Sequence, residues 1–320
     1  MAIGGNEKMT VIQTYPKVTI IILHLKDIQC LVDCITSLNK ITYHNYSIII
    51  VNNGCKNMTL LGALAPISQH ITKVIDTEKN LSFAEGNNVG IRQALRDQAE
   101  YMLLLNDDTE VAPDFLTTLV NAAEACPDAG MLGPKIYRFN EPNKVWFAGA
   151  HFNPETCMVT ATGYDHVDQT EDALTVRSDY ITGCALLVKR KTIEKIGMLD
   201  ERFFLYWEDV DWGLRCSKAG LKNLIVPSSH IWHKISVSSG GIDSLIRAYH
   251  KTRSHLLIAR LYVPKALCKL QRKFFRDITW LLFKSSEPNR IKKTMAYCLA
   301  IMDYHSGKIG RGPHWLWMNK

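Results

Sequence analysis

The chain contains 320 residues, of which 47% are hydrophobic and 22% charged, which predicts one large or two modest globular domains and excludes a mainly disordered chain. The formal net charge of +7 is uneven: residues 236–320 carry 16 Lys and Arg against 4 Asp and Glu, and the preceding 235 carry 22 against 27. No apolar run approaches the roughly 20 residues that span a bilayer, and the first fifteen residues show no secretory signal. We therefore expect a cytoplasmic protein. Its nine cysteines include no C-x-x-C pair and are expected to be free thiols.

Predicted strands and helices alternate through the first half of the chain. A β-branched run at 18–23 predicts a strand buried on both faces, a helical apolar period follows over 28–38, and 48–51 predicts a second buried strand. This βαβ unit places a ligand site beyond the carboxyl ends of the strands. The pattern continues with a weak strand at 73–75, a helix at 83–94, a strong strand at 101–105 and a helix with Pro113 in its first turn.

The second half is less regular. Residues 130–179 are rich in Gly, Pro and Asn and are predicted to be irregular, with short strand candidates. A strand is expected from Tyr180 to Arg190, a short helix at 191–196, a helix at 210–219 and a last strand at 221–226 that Pro227 ends. Beyond a Ser-Ser-Gly-Gly hinge at 238–241, helical periodicity covers 245–261, 264–283 and 291–302.

The segment LLLNDDTEV, residues 103–111, is the first candidate site. A buried strand delivers Asn106, Asp107 and Asp108 to the edge where α/β sheets bind ligands. Two adjacent carboxylates fit a divalent cation that shares its coordination with a diphosphate. The alternative is that Asp107 or Asp108 caps the following helix.

Two later segments also contain candidate site residues. Glu208, Asp209 and Asp211 crowd a helix start in LYWEDVDWGLRCSKAG, either as helix-stabilising charges or as a general base. Trp207 and Trp212 flank these acids and are predicted to form an acceptor-binding wall. In VPSSHIWHK, His230 and His233 follow a strand, where an imidazole could complete a metal site begun by Asp108 or could simply be a surface residue.

These segments, in this order, carry a family resemblance. IIIVNNGC, NLSFAEGNNVGIRQAL, YMLLLNDDTEVAPDFL, ITGCALLVKRKTIEKIGMLDERFFLYWEDVDWGLRCSKAG and VPSSHIWHK together resemble a family 2 inverting glycosyltransferase of the bacterial rhamnosyltransferase-like type. The resemblance covers about residues 17–260. It implies an α/β GT-A fold, a Rossmann-like nucleotide-binding mixed sheet flanked by helices, with a C-terminal helical extension.

The resemblance also implies roles for individual residues. Asp108 and His233 are expected to bind Mg²⁺ or Mn²⁺, and Asp209, with Glu208 beside it, is expected to accept a proton from the acceptor hydroxyl. Donor contacts are expected from seven residues: His24, Asn52, Asn53, Asn80, Asn87, Asn106 and Asp107. The implied reaction is a single displacement that moves a sugar from a nucleoside diphosphate sugar, dTDP-rhamnose or a UDP-sugar, to a glycan or lipid-linked acceptor.

Three positions depart from the family pattern. The first strand ends in His24-Leu25-Lys26 instead of an aromatic residue followed by Asn, Asn52 stands where an aspartate usually reads the base, and Ser82 replaces a common glycine. Asn52 keeps a hydrogen-bonding side chain but lacks the charge, so the donor base stays open.

The basic C-terminal region defines a second predicted unit. We divide the chain into a GT-A domain at 1–240 and a basic helical region at 241–320. The latter interleaves Lys and Arg with Phe274, Phe275 and Trp280, a pattern typical of helices that lie on the inner face of a membrane. The alternative is a helix pair that packs its apolar face on the body. No nucleic-acid-binding motif is recognised.

Two other functions are weighed against glycosyl transfer. A sugar nucleotidyltransferase would carry a Gly-rich basic loop after the first strand, and HLKDIQC at 24–30 is not one. A non-catalytic membrane- or carbohydrate-binding scaffold would have no need of Asp108, Asp209 and His233 together.

Overall fold

A ten-stranded mixed sheet forms the centre of the protein in a computed structural model, which describes residues 15–55, 60–168, 174–234, 244–287 and 289–317. The strand order is β10-β12-β6-β11-β4-β1-β2-β3, with β5 beside β12 and β7 beside β6; β8 and β9 form a separate hairpin. The strands are β1 Val18–His24, β2 Tyr46–Asn52, β3 Ile71–Asp76, β4 Tyr101–Asn106, β5 Thr109–Val111, β6 Ala129–Arg138, β7 Glu141–Phe147, β8 Ala150–Asn153, β9 Met158–Ala161, β10 Val176–Ser178, β11 Ala185–Lys189 and β12 Lys222–His233.

The helices cover both faces and one end of this sheet. Four strands, β1 to β4, run parallel, as the βαβ pattern predicts, and the continuous Ile, Leu and Val runs of β1, β2 and β4 are buried because helices cover both faces. The helices are α1 Ile28–Leu38, α2 Leu60–Leu64, α3 Phe83–Arg96, α4 Phe115–Ala125, α5 Arg190–Ile196, α6 Glu208–Lys218, α7 Leu245–Tyr262, α8 Leu267–Phe283 and α9 Arg290–His305.

The region predicted to be irregular contains five strands, and this prediction was wrong. Its longest strand, β6, carries Gly133 and Pro134, two residues that normally interrupt strand patterns. Tertiary packing explains the glycine, because a Cβ at Gly133 would lie 2.4 Å from the Ile181 side chain. Burial by neighbouring elements therefore overrides the local signal.

Three element boundaries also differ from prediction. The α4 helix begins at Phe115 with Asp114 as its N-cap, so Pro113 precedes it. Only Ala185–Lys189 of the predicted strand from Tyr180 is extended in the sheet. Strand β12 does not stop at Pro227 but continues to His233, because a register shift after Val226 accommodates the missing proline N–H.

The C-terminal helices share a hydrophobic core with the body. Phe203, Trp207 and Val210 pack in one buried cluster with residues of α7 and α8: Leu256, Ile258, Ala259, Leu270 and Phe274. The packing alternative for the basic region is thus observed. The hinge and boundary predicted at 238–241 lie outside the described residues. Among the described residues, no helix has the length and apolar character that crossing a membrane requires.

Candidate active site

Strand pairing brings Asp108 and His233 together. A turn after β4 carries Asp107 and Asp108 directly into the short strand β5, which pairs antiparallel with the end of β12, Thr109 opposite His233. As a result His233 Nε2 lies 3.1 Å from Asp108 Oδ1, and both side chains are buried. The segment after Asp108 is a strand, so the alternative of a helix cap at Asp107 or Asp108 is wrong.

Asp108 and His233 shift each other's pKa, in the direction that favours a negative carboxylate and a positive imidazole. Burial opposes ionisation of Asp108, but His233 and the Asn106 side chain stabilise the carboxylate and lower its pKa. Burial lowers the pKa of His233, yet Cys184 and Asp108 outweigh it and raise this pKa to about 10. Trp146 packs edge-on against the imidazole, with ring centres 4.5 Å apart.

The residues present fit a divalent cation. Asp108 Oδ1 is buried without an aligned hydrogen-bond donor among the described residues, as expected of an oxygen that serves another ligand. Two ligands at about 2.1 Å and at right angles around an octahedral cation stand roughly 3 Å apart, close to the observed separation. No group of three His, Cys, Asp or Glu side chains within the described part of the chain could hold a metal. The remaining ligands would have to come from substrate oxygens and water.

His24 positions Asp107 from the end of β1. The His24 ring is fully buried, and its Nδ1 lies 2.8 Å from Asp107 Oδ2. Burial raises the pKa of Asp107, and the hydrogen bond to His24 counteracts this rise. His24 therefore orients a carboxylate, and its burial leaves no exposed face for the predicted direct donor contact.

The predicted donor-binding asparagines mainly hold loops. Asn52 bonds both backbone polar groups of Cys55, and Asn53 accepts from Leu81 N and donates to the Ser82 carbonyl. Asn53 Nδ2 also lies 3.3 Å from Asn80 Oδ1, which ties β2 to the loop before α3. These contacts place Asn80, half-buried, at the carboxyl end of β2. Asn52 and Asn53 therefore hold the loops at the predicted donor site through backbone hydrogen bonds.

Two further features of the α3 start bear on the donor prediction. Asn87 is buried and donates to the Phe83 carbonyl within α3, so the predicted donor contact at Asn87 is wrong. Ser82 caps α3 through a 2.9 Å bond to Glu85 N and adopts φ of 136°, a conformation that favours glycine. The backbone therefore keeps the shape of a glycine position.

Asp209 is held by backbone N–H groups at the start of α6. Its Oδ2 accepts from Gly183 N at 3.1 Å and its Oδ1 from Val210 N at 2.8 Å. A side chain at Gly183 would lie 2.8 Å from the Phe83 ring, so only glycine permits this approach. Tyr206 and Trp207 just before Asp209 have φ of 66° and 74°. Two consecutive left-handed aromatic residues are strained, and such strain concentrates at functional sites.

Glu208 and Asp209 form a pair of buried acids with different environments. Burial raises the pKa of both groups, and the Asp209 charge raises the pKa of Glu208 further. The backbone N–H bonds stabilise the ionised form of Asp209, whereas Glu208 Oε2 has no hydrogen-bond partner among the described residues. The backbone N–H bonds therefore favour a negative charge on Asp209 more than on Glu208.

The two flanking tryptophans have different roles. Trp207 stacks on His255 of α7 with ring centres 4.1 Å apart, beside Asp209. Trp212 is 0% exposed and donates its indole N–H to the Gly197 carbonyl. Trp212 is part of the main core, so its predicted acceptor contact is wrong. Asp211 is structural as well, since it pairs with Arg215 at 2.8 Å and accepts from Tyr262.

The Asp108–His233 pair and Asp209 converge on one loop. Asn106 N donates to the Cys184 carbonyl, and the preceding residue, Gly183, binds Asp209. Burial raises the pKa of the Cys184 thiol; His233 lowers it, and the Asp108 and Asp209 carboxylates raise it. All three groups are thus within electrostatic range of one thiol, and the hydrogen bonds at Gly183 and Cys184 connect the Asp108 strand with the candidate base.

Sequence reasoning missed several contributors. Lys234 lies next to Asp108 and forms two ion pairs: its Nζ is 2.6 Å from Asp33 Oδ2 and 2.9 Å from Glu110 Oε1. Its backbone N–H donates to the Asp108 carbonyl. Asp76 is exposed at the end of β3, beside Asn52. The sequence could have indicated Asp76, because the carboxyl ends of parallel strands lie at one edge of the sheet and Asp76 ends the strand that follows Asn52. His230 packs against Tyr137, away from the pair.

The family model for glycosyl transferase family 2 matches residues 19–197, more than half of the chain. The chain belongs to this family. It is a glycosyltransferase that uses a nucleotide sugar. It is similar to the dTDP-rhamnosyl transferase RfbF of Shigella flexneri, with 26% identity over 86% of this chain and 91% of the relative. It is also 26% identical to the N-acetylglucosaminyl-diphospho-decaprenol L-rhamnosyltransferase of Mycobacterium tuberculosis, over 70% of this chain and 78% of that one.

Solved structures give the fold of this family 2 member. GalNAc-T7 with UDP, GalNAc and Mn²⁺ matches with a TM-score of 0.63 at 13% identity, over 92% of this chain and 57% of that one. The mannosyltransferase PcManGT from Pyrobaculum calidifontis, in complex with GDP-Man and Mn²⁺, matches with 0.55 at 13% identity, over 92% and 84%. The predicted GT-A fold with additional C-terminal helices is confirmed.

Proposed function

We propose that this protein is an inverting, metal-dependent rhamnosyltransferase that uses dTDP-rhamnose or a related nucleotide sugar in cell-envelope polysaccharide synthesis. The observation that carries this proposal is the convergence of Asp108, His233 and Asp209 on the loop at Gly183 and Cys184. The acceptor is the hydroxyl of a glycan or lipid-linked sugar. The relatives from Shigella and Mycobacterium, a dTDP-rhamnosyl transferase and a rhamnosyltransferase named for an N-acetylglucosaminyl-diphospho-decaprenol, support this donor and acceptor chemistry.

Asp209 performs the proton transfer in this proposal. The N–H groups of Gly183 and Val210 fix both of its oxygens, so the carboxylate faces the acceptor in one orientation. It accepts the proton of the attacking hydroxyl as the new glycosidic bond forms at the anomeric carbon and the bond to the diphosphate breaks. Burial and the Asp209 charge raise the pKa of Glu208, which favours a protonated Glu208 beside an ionised Asp209.

Asp108 and His233 would hold Mg²⁺ or Mn²⁺, and that cation would act as a Lewis acid on the diphosphate leaving group. Asp107, fixed by His24, extends the same edge toward the nucleotide. Asn106 stabilises the ionised Asp108. Substrate oxygens are needed to complete the coordination, so we expect nucleotide and metal to bind cooperatively.

The donor is identified by a thermal-shift panel followed by an assay. We expect dTDP-rhamnose with Mg²⁺ or Mn²⁺ to raise the melting temperature more than the sugar nucleotide or the metal alone, because each completes the site of the other. Release of dTDP on addition of a glycan acceptor then reports transfer. If no nucleotide sugar in the panel raised the melting temperature, the proposal would be contradicted.

We further propose that α8 and α9 contact an anionic membrane surface. Phe275, Trp280 and Phe283 of α8 are 69%, 55% and 76% exposed. On α9, Ile291 and Met295 are exposed as well, and the two helices and the segment between them carry exposed basic residues: Lys269, Arg272, Arg276, Lys284, Arg290 and Lys292. Phe274, predicted to insert, is buried against the body instead. Exposed aromatic residues among cations favour a lipid headgroup layer with negative charge.

Flotation of the full chain with vesicles tests this contact. We expect binding to vesicles that contain phosphatidylglycerol and little binding to pure phosphatidylcholine. The double variant Phe275→Ser/Phe283→Ser should lose flotation, whereas Leu174→Ser, at another exposed apolar residue, should not. The full chain is required because truncation before α7 would open the core that contains Trp207. Equal flotation of wild type and double variant would rule out this surface.

A further inference from the structure

Helix α7 lies along the segment that carries the proposed base. The Ser254 hydroxyl donates to the Leu205 carbonyl at 3.3 Å, and one residue further His255 stacks on Trp207. Near the start of the helix, the Arg247 guanidinium lies 6.0 Å from the centre of the Tyr206 ring. The α7 face from Arg247 to His255 therefore borders residues 205–209.

Lys251 stands on this face between the two contacts. It follows Arg247 by four residues and precedes His255 by four, and this spacing places side chains on the same side of a helix. Lys251 is reachable by solvent, while Arg247 is half-buried. The surrounding protein lowers the pKa of Lys251, Arg247 lowers it further, and Asp209 opposes the change. The ammonium group is thus within electrostatic reach of the proposed base.

Among the described residues, no carboxylate forms an ion pair with either Arg247 or Lys251, in contrast to Arg215 with Asp211 and Lys234 with Asp33. Two like charges four residues apart on a helix repel each other. They lie near the N-terminal end of α7, where the helix dipole adds positive potential. This arrangement is stabilised when an anion binds between them.

We infer that Arg247 and Lys251 bind a phosphate or diphosphate group of the acceptor. The inference rests on the proposed role of Asp209, because the acceptor hydroxyl must lie at that carboxylate. A sugar whose hydroxyl meets Asp209 can extend its phosphate toward the neighbouring α7 face. The donor diphosphate belongs at the other pair, Asp108 and His233, whose ligand geometry suits a cation. Arg247 and Lys251 thereby select acceptors that carry a phosphate-linked sugar over neutral glycans.

Geranyl diphosphate is a suitable probe, because it carries a diphosphate without a nucleotide. Calorimetric titration is performed on the full chain in EDTA, with geraniol as the neutral comparison. We expect Arg247→Gln and Lys251→Gln each to weaken binding about tenfold, since each removes a charge-assisted contact, and the double variant to weaken it more. Lys251→Arg should retain most of the affinity. Lys265→Gln, an exposed cation beyond the end of α7, is the matched control and should change nothing.

A second series separates the acceptor from the donor as the source of the phosphate. Titration of dTDP and UDP with Mg²⁺ should give the same affinity in wild type and in the double variant. If nucleotide affinity fell as much as geranyl diphosphate affinity, the pair would belong to the donor site and the inference would be wrong. Undiminished geranyl diphosphate binding in the double variant would overturn it as well.

The outcomes also separate this inference from the proposed function. Asp209→Asn should still bind geranyl diphosphate, because binding does not require proton transfer. Binding that depends on Arg247 and Lys251 in a protein that transfers no sugar would contradict the proposed function and leave the anion site standing. If the protein transfers sugar but binds geranyl diphosphate equally well without Arg247 and Lys251, only the anion site is contradicted.

Discussion

The donor and acceptor sides of the site are built in different ways. On the donor side, His24, Asp107 and Asp108 sit at the ends of adjacent parallel strands, and strand register alone fixes their spacing. On the acceptor side, Asp209 follows two left-handed aromatic residues in a segment held by α7, which is distant in the chain. The proposed donor side is therefore built by strand pairing in the sheet, whereas the proposed acceptor side depends on the packing of a helix against a loop segment. Binding and turnover should respond separately to changes on the two sides.

Asp209→Asn should give the largest difference between the effect on turnover and the effect on nucleotide binding. Loss of the general base should reduce kcat about 10³-fold, roughly 4 kcal/mol in activation free energy, while the dissociation constant for nucleoside diphosphate stays within about twofold. Steady-state kinetics and calorimetry measure the two quantities. Glu194→Gln, an exposed acid on α5, is the control and should leave both unchanged. A variant that keeps its turnover would remove Asp209 from the base role.

Trp212→Ala tests whether the Trp212 ring belongs to the hydrophobic core, with the exposed Trp280 as the comparison. Because Trp212 is fully buried, its truncation should lower the free energy of unfolding by about 3–4 kcal/mol, measured by urea denaturation. Trp280→Ala, at an exposed ring, should change it by less than about 0.5 kcal/mol. A small loss at Trp212 would mean that its ring is not part of the core.

Asp108→Ala probes the donor side alone. The affinity for nucleoside diphosphate in the presence of Mg²⁺ or Mn²⁺ should fall about 100-fold, near 2.7 kcal/mol, and His233→Ala should act in the same direction. In EDTA, wild type and variants should bind the nucleotide equally weakly. Calorimetry in both buffers makes the comparison, and a metal-independent loss would assign Asp108 a structural role instead.

Glu208→Gln should change the pH dependence of stability. The folded state keeps a proton on Glu208 that the unfolded chain releases, because the folded-state pKa is raised. Stability of the wild type should therefore fall as pH rises from the unfolded pKa toward the folded one, by up to about 1.4 kcal/mol per pH unit from this group. Asp209 contributes with the same sign, so the difference between wild type and variant isolates Glu208. Urea midpoints from about pH 5 to pH 8 should show a shallower slope in the variant; parallel slopes would contradict a protonated Glu208.

Ser82→Gly is the smallest expected effect. Glycine relieves the positive φ of this residue, which costs of order 1 kcal/mol or more for serine, and replacing the cap by glycine loses only a few tenths. We expect a net gain of about 1 kcal/mol in the free energy of unfolding. Ser68→Gly, in an exposed helical turn, serves as a comparison that should not stabilise the protein. A loss at Ser82 would show that its hydroxyl matters more than the strain.

Sequence patterns predicted the donor half of the sheet closely. The buried runs of β1, β2 and β4 and the helical periods of α1 and α3 carry strong local signals, and the carboxyl ends of parallel strands necessarily share an edge. The family motifs then assigned Asp108, His233 and Asp209. The same motifs placed Asn87 in the site, and the rings that flank the acids placed Trp212 there, because neither signal gives the direction of a side chain.

The fold around β6 and β12 could not be predicted in this way. Gly133 and Pro227 interrupt both strands locally, and only the close approach of Ile181 and the register shift after Val226 explain why the strands continue. This continuation carries His233 to Asp108, so the geometry of the proposed metal site depends on a contact between segments 125 residues apart in the chain.

The sequence by itself determined the family, the central parallel strands and the residue types that perform the chemistry, because these are encoded in short, local patterns. Tertiary structure decided which of those residues face the site: it buried Trp212 and Asn87, turned His24 toward Asp107 and placed α7 beside Asp209. The physical reason is that burial, charge neutralisation and backbone strain depend on neighbours that are distant in the chain. The basic C-terminal region illustrates this best, since α7 packs on the Asp209 segment, whereas α8 buries Phe274 and exposes Phe275, Trp280 and Phe283.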